Sequence, residues 1–140
     1  MNHVTFISRE QAQRLVPPAG AVIISVHDKS EAPAQLQNGW AGRLTLEFHD
    51  TDGRSLGLTA FSAAMAAQVW QFVDSHLEAP ELFVHCQMGV SRSAAIAMAI
   101  ALPLAVPCYC NDRAVTPSSH PWLNKQVYFE VLTHSGAQKY

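Results

Sequence analysis

The fold is decided by the stretch LFVHCQMGVSRSAAIAMAIAL, which occupies residues 82–102. Its first four residues predict a short apolar strand, and residues 93–102 are almost wholly apolar, as is typical of a helix buried on all sides. We expect Pro103 to end that helix. Between strand and helix lies a loop with Gly89 near its centre. The stretch therefore predicts a buried strand that passes through a tight loop directly into a buried helix.

The rest of the chain repeats this alternation of strands and helices. Ser8 offers an N-cap for a helix over residues 9–16, which Pro17 and Pro18 stop. Further strands are predicted over residues 4–7, 21–26 and 44–48, and further helices from Thr59 to before Pro80 and over residues 122–132. Residues 103–121 contain four prolines and are left unassigned. The pattern predicts a single α/β domain over residues 1–140, with a central, mostly parallel sheet of about four to five strands flanked by helices.

Such a sheet restricts where a functional site can lie. Ligands bind beyond the carboxyl ends of parallel strands. His49 and Asp50 follow one predicted strand, while His85 and Cys86 stand at the end of another. We therefore expect these two chain segments to form the site.

Composition excludes several classes of protein. Of the 140 residues, 49% are hydrophobic and 14% are charged, whereas an average globular domain has about 25% charged residues. Intrinsic disorder is thereby excluded. Nine Lys and Arg against eleven Asp and Glu give a formal net charge of −2, so no basic surplus is available for a nucleic-acid backbone. We expect the function in one small polar site.

The cysteines and the N-terminal sequence favour a reducing compartment. The chain has three cysteines, an odd number that indicates no disulfide framework. A structural zinc site would need a fourth ligand in addition to Cys108, Cys110 and His120, and the sequence offers none. We therefore expect no metal. The first residues do not resemble a signal peptide, and the longest apolar run is too short for a membrane span. These features predict a cytoplasmic protein that binds no membrane. The sequence leaves the oligomeric state open, with a monomer as the default expectation.

The loop from Cys86 to Arg92 has the composition of an anion-binding nest. Gly89 permits an unusual backbone angle, and the following helix adds unpaired N–H groups and the positive end of its dipole. The same donors and Arg92 favour the thiolate form of Cys86, and a guanidinium can hold two phosphoryl oxygens. The alternative, a buried structural cysteine before a glycine turn, leaves His85 and Ser93 on either side unexplained.

The motif His85-Cys86-x-x-Gly89-x-x-Arg92-Ser93 resembles the HCxxGxxRS signature of the protein tyrosine phosphatase superfamily. It is most similar to the compact dual-specificity branch, in the form of a small prokaryotic member. The resemblance extends from the strand at residues 21–26 through the helix at residues 93–102, and more faintly to the last helix. It implies a phosphatase-like fold and a cysteine-dependent phosphatase reaction that needs no cofactor or metal.

The resemblance implies a role for each residue of the motif. Cys86 would be the nucleophile that forms a phosphocysteine, and Arg92 would bind the phosphoryl oxygens. Ser93 would hydrogen-bond the thiolate and help it leave, while His85 would support the site as a structural hydrogen-bonding group. The phosphate would be bound by the amides of six residues: Gln87, Met88, Gly89, Val90, Ser91 and Arg92.

A cysteinyl-phosphate mechanism also needs an acid that protonates the leaving group. The family takes this acid from a loop after an upstream strand, and here that loop contains Asp50 and Asp52. The resemblance favours Asp50, because in dual-specificity relatives the acid comes about two residues after the last apolar position of the strand, which here is Phe48. Asp52, beside Gly53, is more typical of a turn, and His49 is a weaker third candidate.

The loop composition also bears on the substrate. Gln87 and Met88 take positions where relatives often carry small or charged residues. The loop between Cys86 and Arg92 also contains no lysine. Because relatives that act on inositol phospholipids tend to carry lysine there, the sequence disfavours such substrates. No segment resembles the tyrosine-recognition loop of the large tyrosine phosphatases. We therefore expect a shallow pocket for phosphotyrosine, and also for phosphoserine or phosphothreonine, on a phosphorylated protein or a small phosphomonoester.

Two other functions are weighed against this one. The main alternative is a pseudophosphatase that binds phosphoproteins without turnover, which Cys86, Arg92, Ser93 and an upstream Asp together argue against. A rhodanese-like or arsenate-reductase-like enzyme is disfavoured by that Asp and by the position of the loop at residue 86.

Some residues outside the motif have weaker interpretations. His27 and Asp28 end a strand at the same sheet edge, although such a pair usually faces water. Asn124 resembles a structural position of small dual-specificity phosphatases. A disulfide between an oxidised Cys86 and Cys108 or Cys110 is a further hypothesis. The tryptophans are expected to be packing residues: Trp40, Trp70 and Trp122.

Overall fold

The computed structural model of the protein describes residues 1–135. Its strands are β1 (His3–Ser8), β2 (Val22–His27), β3 (Gly42–Glu47), β4 (Glu81–Cys86), β5 (Cys108–Cys110) and β6 (Arg113–Ala114). Its helices are α1 (Arg9–Arg14), α2 (Ala63–Ser75), α3 (Arg92–Leu104) and α4 (Lys125–Thr133). The last five residues of the predicted domain lie outside this description.

The strands form one sheet in the order β3-β2-β4-β1-β5-β6. Every neighbouring pair is parallel except β5 and β6, which are antiparallel. The predicted α/β class with a mostly parallel sheet is therefore confirmed. The described chain has six strands rather than four or five, because β5 and β6 form within the segment that the sequence pattern left unassigned.

The two faces of the sheet are covered unequally. Helix α3 lies against β1 and β4 and contacts α4, while α2 contacts β3 and α4. The opposite face carries a smaller cluster around Ile23 and Phe83, covered by α1 and by partly buried Leu36 and Trp40. Burial of α3 is complete from Arg92 to Ala101, as predicted for a central helix.

Several helix ends differ from the sequence-based boundaries, and α1 and α2 end earlier than predicted, at Arg14 and Ser75. Pro103 lies inside α3 and does not end it; the helix ends where left-handed Ala105 donates its N–H to the carbonyls of Ala101 and Leu102. Helices α2 and α4 begin later than predicted, because Ser62 and Asn124 cap them by accepting the N–H groups of their third helical residues. The predicted cap at Ser8 is confirmed as a capping box.

The three tryptophans are placed in different environments. Trp70 is buried and donates its indole N–H to the Val131 carbonyl at 2.7 Å. Trp40 is partly buried and contacts the Phe83 ring edge-on. Trp122 is 62% exposed, so the prediction that it packs within the domain is wrong. No helix among residues 1–135 is long and apolar enough to cross a membrane.

Candidate active site

The two segments singled out from the sequence meet in one cleft at the carboxyl edge of the sheet. The cleft has a volume of about 330 Å³. Its walls are formed by the loop of residues 86–92, which connects β4 to α3, and by Asp50 from the loop of residues 49–60. We call these segments the 86–92 loop and the 49–60 loop.

Three carbonyls of the 86–92 loop are bound by donors from elsewhere in the fold. Gln87 accepts the backbone N–H of Arg9 at 3.2 Å. Val90 accepts the Nε2–H of buried His120 at 2.7 Å. Ser91 accepts the backbone N–H of Asn124 at 3.1 Å. The loop is therefore fixed from three directions, by the start of α1, by the segment before α4 and by the cap of α4.

This anchoring orients the amides of the same loop. In a planar trans peptide the N–H points opposite to the carbonyl. The N–H groups of Met88, Ser91 and Arg92 therefore point away from the scaffold donors that hold the preceding carbonyls. Within residues 1–135, no acceptor binds the backbone N–H groups of residues 88–92. Unpaired amides at the start of a helix are the physical basis of an anion nest.

Gly89 lets the loop approach β1 closely. Its φ is +73°, and a Cβ atom there would lie 2.6 Å from the backbone of Ile7 and of Ser8. Any side chain at this position would displace either the loop or the junction between β1 and α1. Glycine is thus required both for the left-handed angle and for the close approach.

Cys86 lies at the base of the cleft, beside Ser93 in the first turn of α3. The Cys86 Sγ and the Ser93 Oγ are 3.1 Å apart, and both residues are buried. A hydroxyl at this distance can donate to a thiolate. The predicted proximity of the two side chains is thus present in the structure.

His85 is bonded on the side of β4 away from the thiol. Burial lowers the pKa of His85 to about 4, so the ring is neutral near neutral pH. Its Nδ1 faces the Cys86 carbonyl at 3.2 Å and therefore carries the proton, which leaves Nε2 to accept from Ser25 Oγ–H at 2.5 Å. These bonds fit the supporting role that the resemblance implies.

Arg92 is held at one end by acceptors that the sequence did not indicate. Its Nη1 donates to Asp28 Oδ1 at 2.6 Å and to the Phe48 carbonyl at 2.7 Å. Both Nη1 hydrogens are thereby used, while the donors on Nε and Nη2 have no partner among the described residues. Asp28 is therefore a partner of the Arg92 guanidinium. The neighbouring His27 is buried, although the sequence predicted that this pair faces water.

The two candidate acids have different surroundings. Asp50 lines the cleft, and its Oδ1 accepts the Ser91 hydroxyl at 2.9 Å and the Asn124 amide at 2.8 Å. Asp52 instead pairs with Arg54 at 2.9 Å, and the bond from the Arg54 backbone N–H lowers the pKa of the exposed Asp52 carboxyl. His49 accepts the Thr59 N–H through Nδ1 and holds the base of its own loop.

Asn124 joins more parts of the site than the sequence suggested. Its amide donates to Asp50 Oδ1 and to the Thr51 carbonyl, and its Oδ1 caps α4. Its backbone N–H binds Ser91 in the 86–92 loop. The sequence pattern placed this residue inside the predicted helix over residues 122–132, and its one signal was the resemblance to a structural position of small dual-specificity phosphatases.

Cys108 and Cys110 lie away from the candidate nucleophile. They are on β5, and Cys86 is on β4, with β1 between the two strands. Strands spaced ~4.8 Å apart put the cysteine backbones about 10 Å apart, beyond the ~7 Å limit for a disulfide. Burial also raises the pKa of the Cys108 thiol to about 12. The disulfide hypothesis is therefore wrong for this structure.

The fold has a match among solved structures. The crystal structure of a human tyrosine phosphatase-like serine/threonine/tyrosine-interacting protein superimposes with a TM-score of 0.51 over 86% of this chain and 79% of that chain. The two sequences are 16% identical, so the likeness concerns the fold. No protein-family model and no curated protein sequence matches the chain. The predicted tyrosine-phosphatase-like fold is confirmed.

Proposed function

We propose that this protein is a cysteine-dependent phosphatase that hydrolyses phosphomonoesters through a cysteinyl-phosphate intermediate. The observation that carries the proposal is a set of backbone N–H groups, at residues 88–92, that have no acceptor among residues 1–135 and belong to the loop that lines one cleft with the Cys86 thiol and Arg92. Such a set of donors suits a tetrahedral oxyanion. The phosphatase-like fold and the sequence motif support the same reaction.

In the first step the Cys86 thiolate attacks phosphorus, and the bond from phosphorus to the alcohol oxygen breaks. The loop amides and the free Nε and Nη2 donors of Arg92 bind the nonbridging oxygens. Asp50 donates a proton to the leaving oxygen. Its Oδ1 already accepts two hydrogen bonds, so we assign the proton to Oδ2, which has no partner among the described residues.

In the second step water attacks the phosphocysteine, and the sulfur–phosphorus bond breaks. The Asp50 carboxylate takes a proton from the water, which restores the acid for the next cycle. The Ser93 hydroxyl, 3.1 Å from the sulfur, donates to the departing thiolate. Asp28 and the Phe48 carbonyl hold Arg92 in place throughout, and the products are an alcohol or phenol and inorganic phosphate.

The substrates proposed are phosphotyrosine and, because no tyrosine-recognition loop is identified, phosphoserine and phosphothreonine in proteins. Small phosphomonoesters fit the same chemistry. The decisive experiment is phosphate release from para-nitrophenyl phosphate by the wild type and by Cys86→Ser. We expect turnover by the wild type and its loss in the variant, while Cys110→Ser serves as a control at a cysteine outside the cleft.

A second candidate function is phosphoprotein binding without turnover. It is favoured by one observation, that the matched fold belongs to a protein described as phosphatase-like and interacting. A wild type that binds a phosphotyrosine peptide but releases no phosphate would establish this function and overturn the proposed one. Equal turnover by the wild type and Cys86→Ser would overturn the assigned nucleophile.

A further inference from the structure

Three exposed apolar side chains stand beside the candidate cleft: Met88, Val90 and Trp122. We call them the apolar collar. Their exposed fractions are 74%, 40% and 62%. Met88 and Val90 belong to the 86–92 loop and line the cleft that contains Cys86. Apolar surface thus continues outward from the proposed phosphate site.

His120 ties Trp122 to the 86–92 loop. The His120 ring is 4% exposed and donates Nε2–H to the Val90 carbonyl at 2.7 Å. One ring contact joins it to the core residue Phe6 at 5.1 Å between centroids, and another joins it edge-on to Trp122 at 5.0 Å. The indole is therefore held beside the loop by a buried ring.

Trp122 is exposed although the residues that follow it are packed against the domain. The next residue, Leu123, is buried, and Asn124 caps α4 and binds the 49–60 loop. Trp is usually well buried in folded proteins, and exposed aromatic residues that neighbours hold in place are typical of binding surfaces. The structure thus holds the indole in contact with solvent, next to the buried ring that binds the 86–92 loop.

The charge around the collar indicates what it binds. Residues 87–91 and 114–124 contain no Lys, Arg, Asp or Glu. Arg92 is the cation inside the cleft, and Lys125 and Arg54 line a different cleft together with Asp50. Arg9 and Glu10 line a further cleft with Met88, but the Arg9 guanidinium is already bound by Glu31 and by the Ala32 carbonyl. A surface without surplus positive charge is unsuited to an anionic membrane or to a ligand with several phosphates. It suits a single phosphate next to an apolar group.

We propose that the apolar collar selects phosphopeptides in which an apolar side chain flanks the phosphorylated residue. The inference rests on the proposed function, because it names the substrate class of the same site. Met88 and Val90 contact the phosphorylated side chain as it enters the cleft, and Trp122 contacts the flanking apolar side chain. Burial of the flanking group against the indole removes apolar surface from water in the complex.

The test compares two phosphotyrosine peptides that differ in their flanking residues, leucine in one and the near-isosteric asparagine in the other. We expect kcat/KM of the wild type to favour the leucine peptide by about tenfold, as for a contact somewhat weaker than an interface hot spot. Trp122→Ala should reduce this ratio to about twofold, and Trp122→Phe should keep most of it. Phe129→Ala, an exposed aromatic on α4 outside the collar, is the matched control and should keep the full ratio.

Each outcome decides between the two proposals. A wild-type ratio near one, or a ratio that Trp122→Ala leaves intact, overturns the collar. Faster hydrolysis of a phosphoinositide in vesicles than of the leucine peptide also overturns it. If para-nitrophenyl phosphate is not hydrolysed, the proposed function fails instead, and the affinities of the two peptides for Cys86→Ser then test the collar alone. If Trp122→Ala does not fold, the wild-type ratio and Trp122→Phe decide.

Discussion

The two loops that face the cleft are held in opposite ways. In the 86–92 loop three carbonyls bind donors from distant parts of the chain, and Gly89 touches the backbone of β1. The 49–60 loop is closed at its base by two hydrogen bonds between His49 and Thr59. Its residues 52–58 are exposed. Its tip is bonded locally, through Asp52 and Arg54.

This difference separates two tasks of the proposed reaction. The anion cradle is built into the scaffold, so its donors need no reorganisation when charge develops on the phosphoryl group. The acid comes from a loop that is fixed at its base and joined to the cradle by the bond from Ser91 to Asp50. Changes in the first loop should therefore affect stability and chemistry together, and changes at the tip of the second should leave the chemistry nearly unchanged.

A pair of glycine variants gives the largest expected contrast. Gly89 and Gly57 both have a positive φ, of +73° and +82°, but a Cβ at Gly57 has no atom within 4 Å. Gly89→Ala should lower kcat for para-nitrophenyl phosphate by at least about 10³-fold, because the amide donors shift and each donor is worth roughly 10²–10³. It should also destabilise the fold by about 2–4 kcal/mol through backbone strain and overpacking.

Gly57→Ala is the matched control for that variant. It introduces the same left-handed strain, about 1–2 kcal/mol, without a clash. Turnover should stay within about twofold of the wild type, as expected for a change at an exposed loop position. Thermal unfolding and steady-state kinetics measure both effects, and similar losses of turnover in the two variants would show that the loops are not held differently.

The acid assignment gives the next largest contrast, this time within the 49–60 loop. Asp50→Asn keeps the size of the side chain and an oxygen for Ser91 and Asn124 but removes the acidic proton. We expect it to lower kcat for phenyl phosphate by about 10²-fold, with a much smaller loss for para-nitrophenyl phosphate, whose leaving group departs without a proton. Asp52→Asn, at the tip, should change neither rate by more than about twofold.

A larger loss in Asp52→Asn, or equal small losses in both variants, would overturn the choice of Asp50. An equal loss in Asp50→Asn for the two leaving groups would show that this carboxyl positions the site without donating a proton.

The sequence was more informative about the 86–92 loop than about the groups that hold it. Strand, loop and helix are contiguous along the chain, so a local pattern was enough to predict them. The partners of the loop and of Arg92 are distant in sequence: His120 lies 30 residues from Val90, and Asp28 lies 64 residues from Arg92. Such pairs arise from sheet order and helix placement, which no local pattern encodes.

The same limit explains the strands that were missed. β5 has three residues and β6 has two, too few to show an alternation of their own. β5 is a strand because β1 pairs with it, with Val4 opposite Cys108 and Phe6 opposite Cys110. The prediction that Pro103 ends α3 failed for a related reason. The helix continues to Leu104, and the N–H of Ala105 then bonds the carbonyls of Ala101 and Leu102.

The smallest expected effect concerns Asn124, where the two loops are joined. Asn124→Ala removes the amide bonds to Asp50 and Thr51 and the cap of α4. We expect kcat for phenyl phosphate to fall roughly tenfold because the acid is less well oriented, and stability to fall by about 1 kcal/mol because the cap is lost.

Asn124→Ser separates these two losses. A serine hydroxyl can cap α4 as well as asparagine does, but it is too short to reach Asp50, so stability should recover while turnover stays low. The deficit should again be greater for phenyl phosphate than for para-nitrophenyl phosphate, since it concerns the proton donor. If serine restored turnover together with stability, the Asn124 side chain would act through α4 alone. The 49–60 loop would then orient Asp50 without support from the helix.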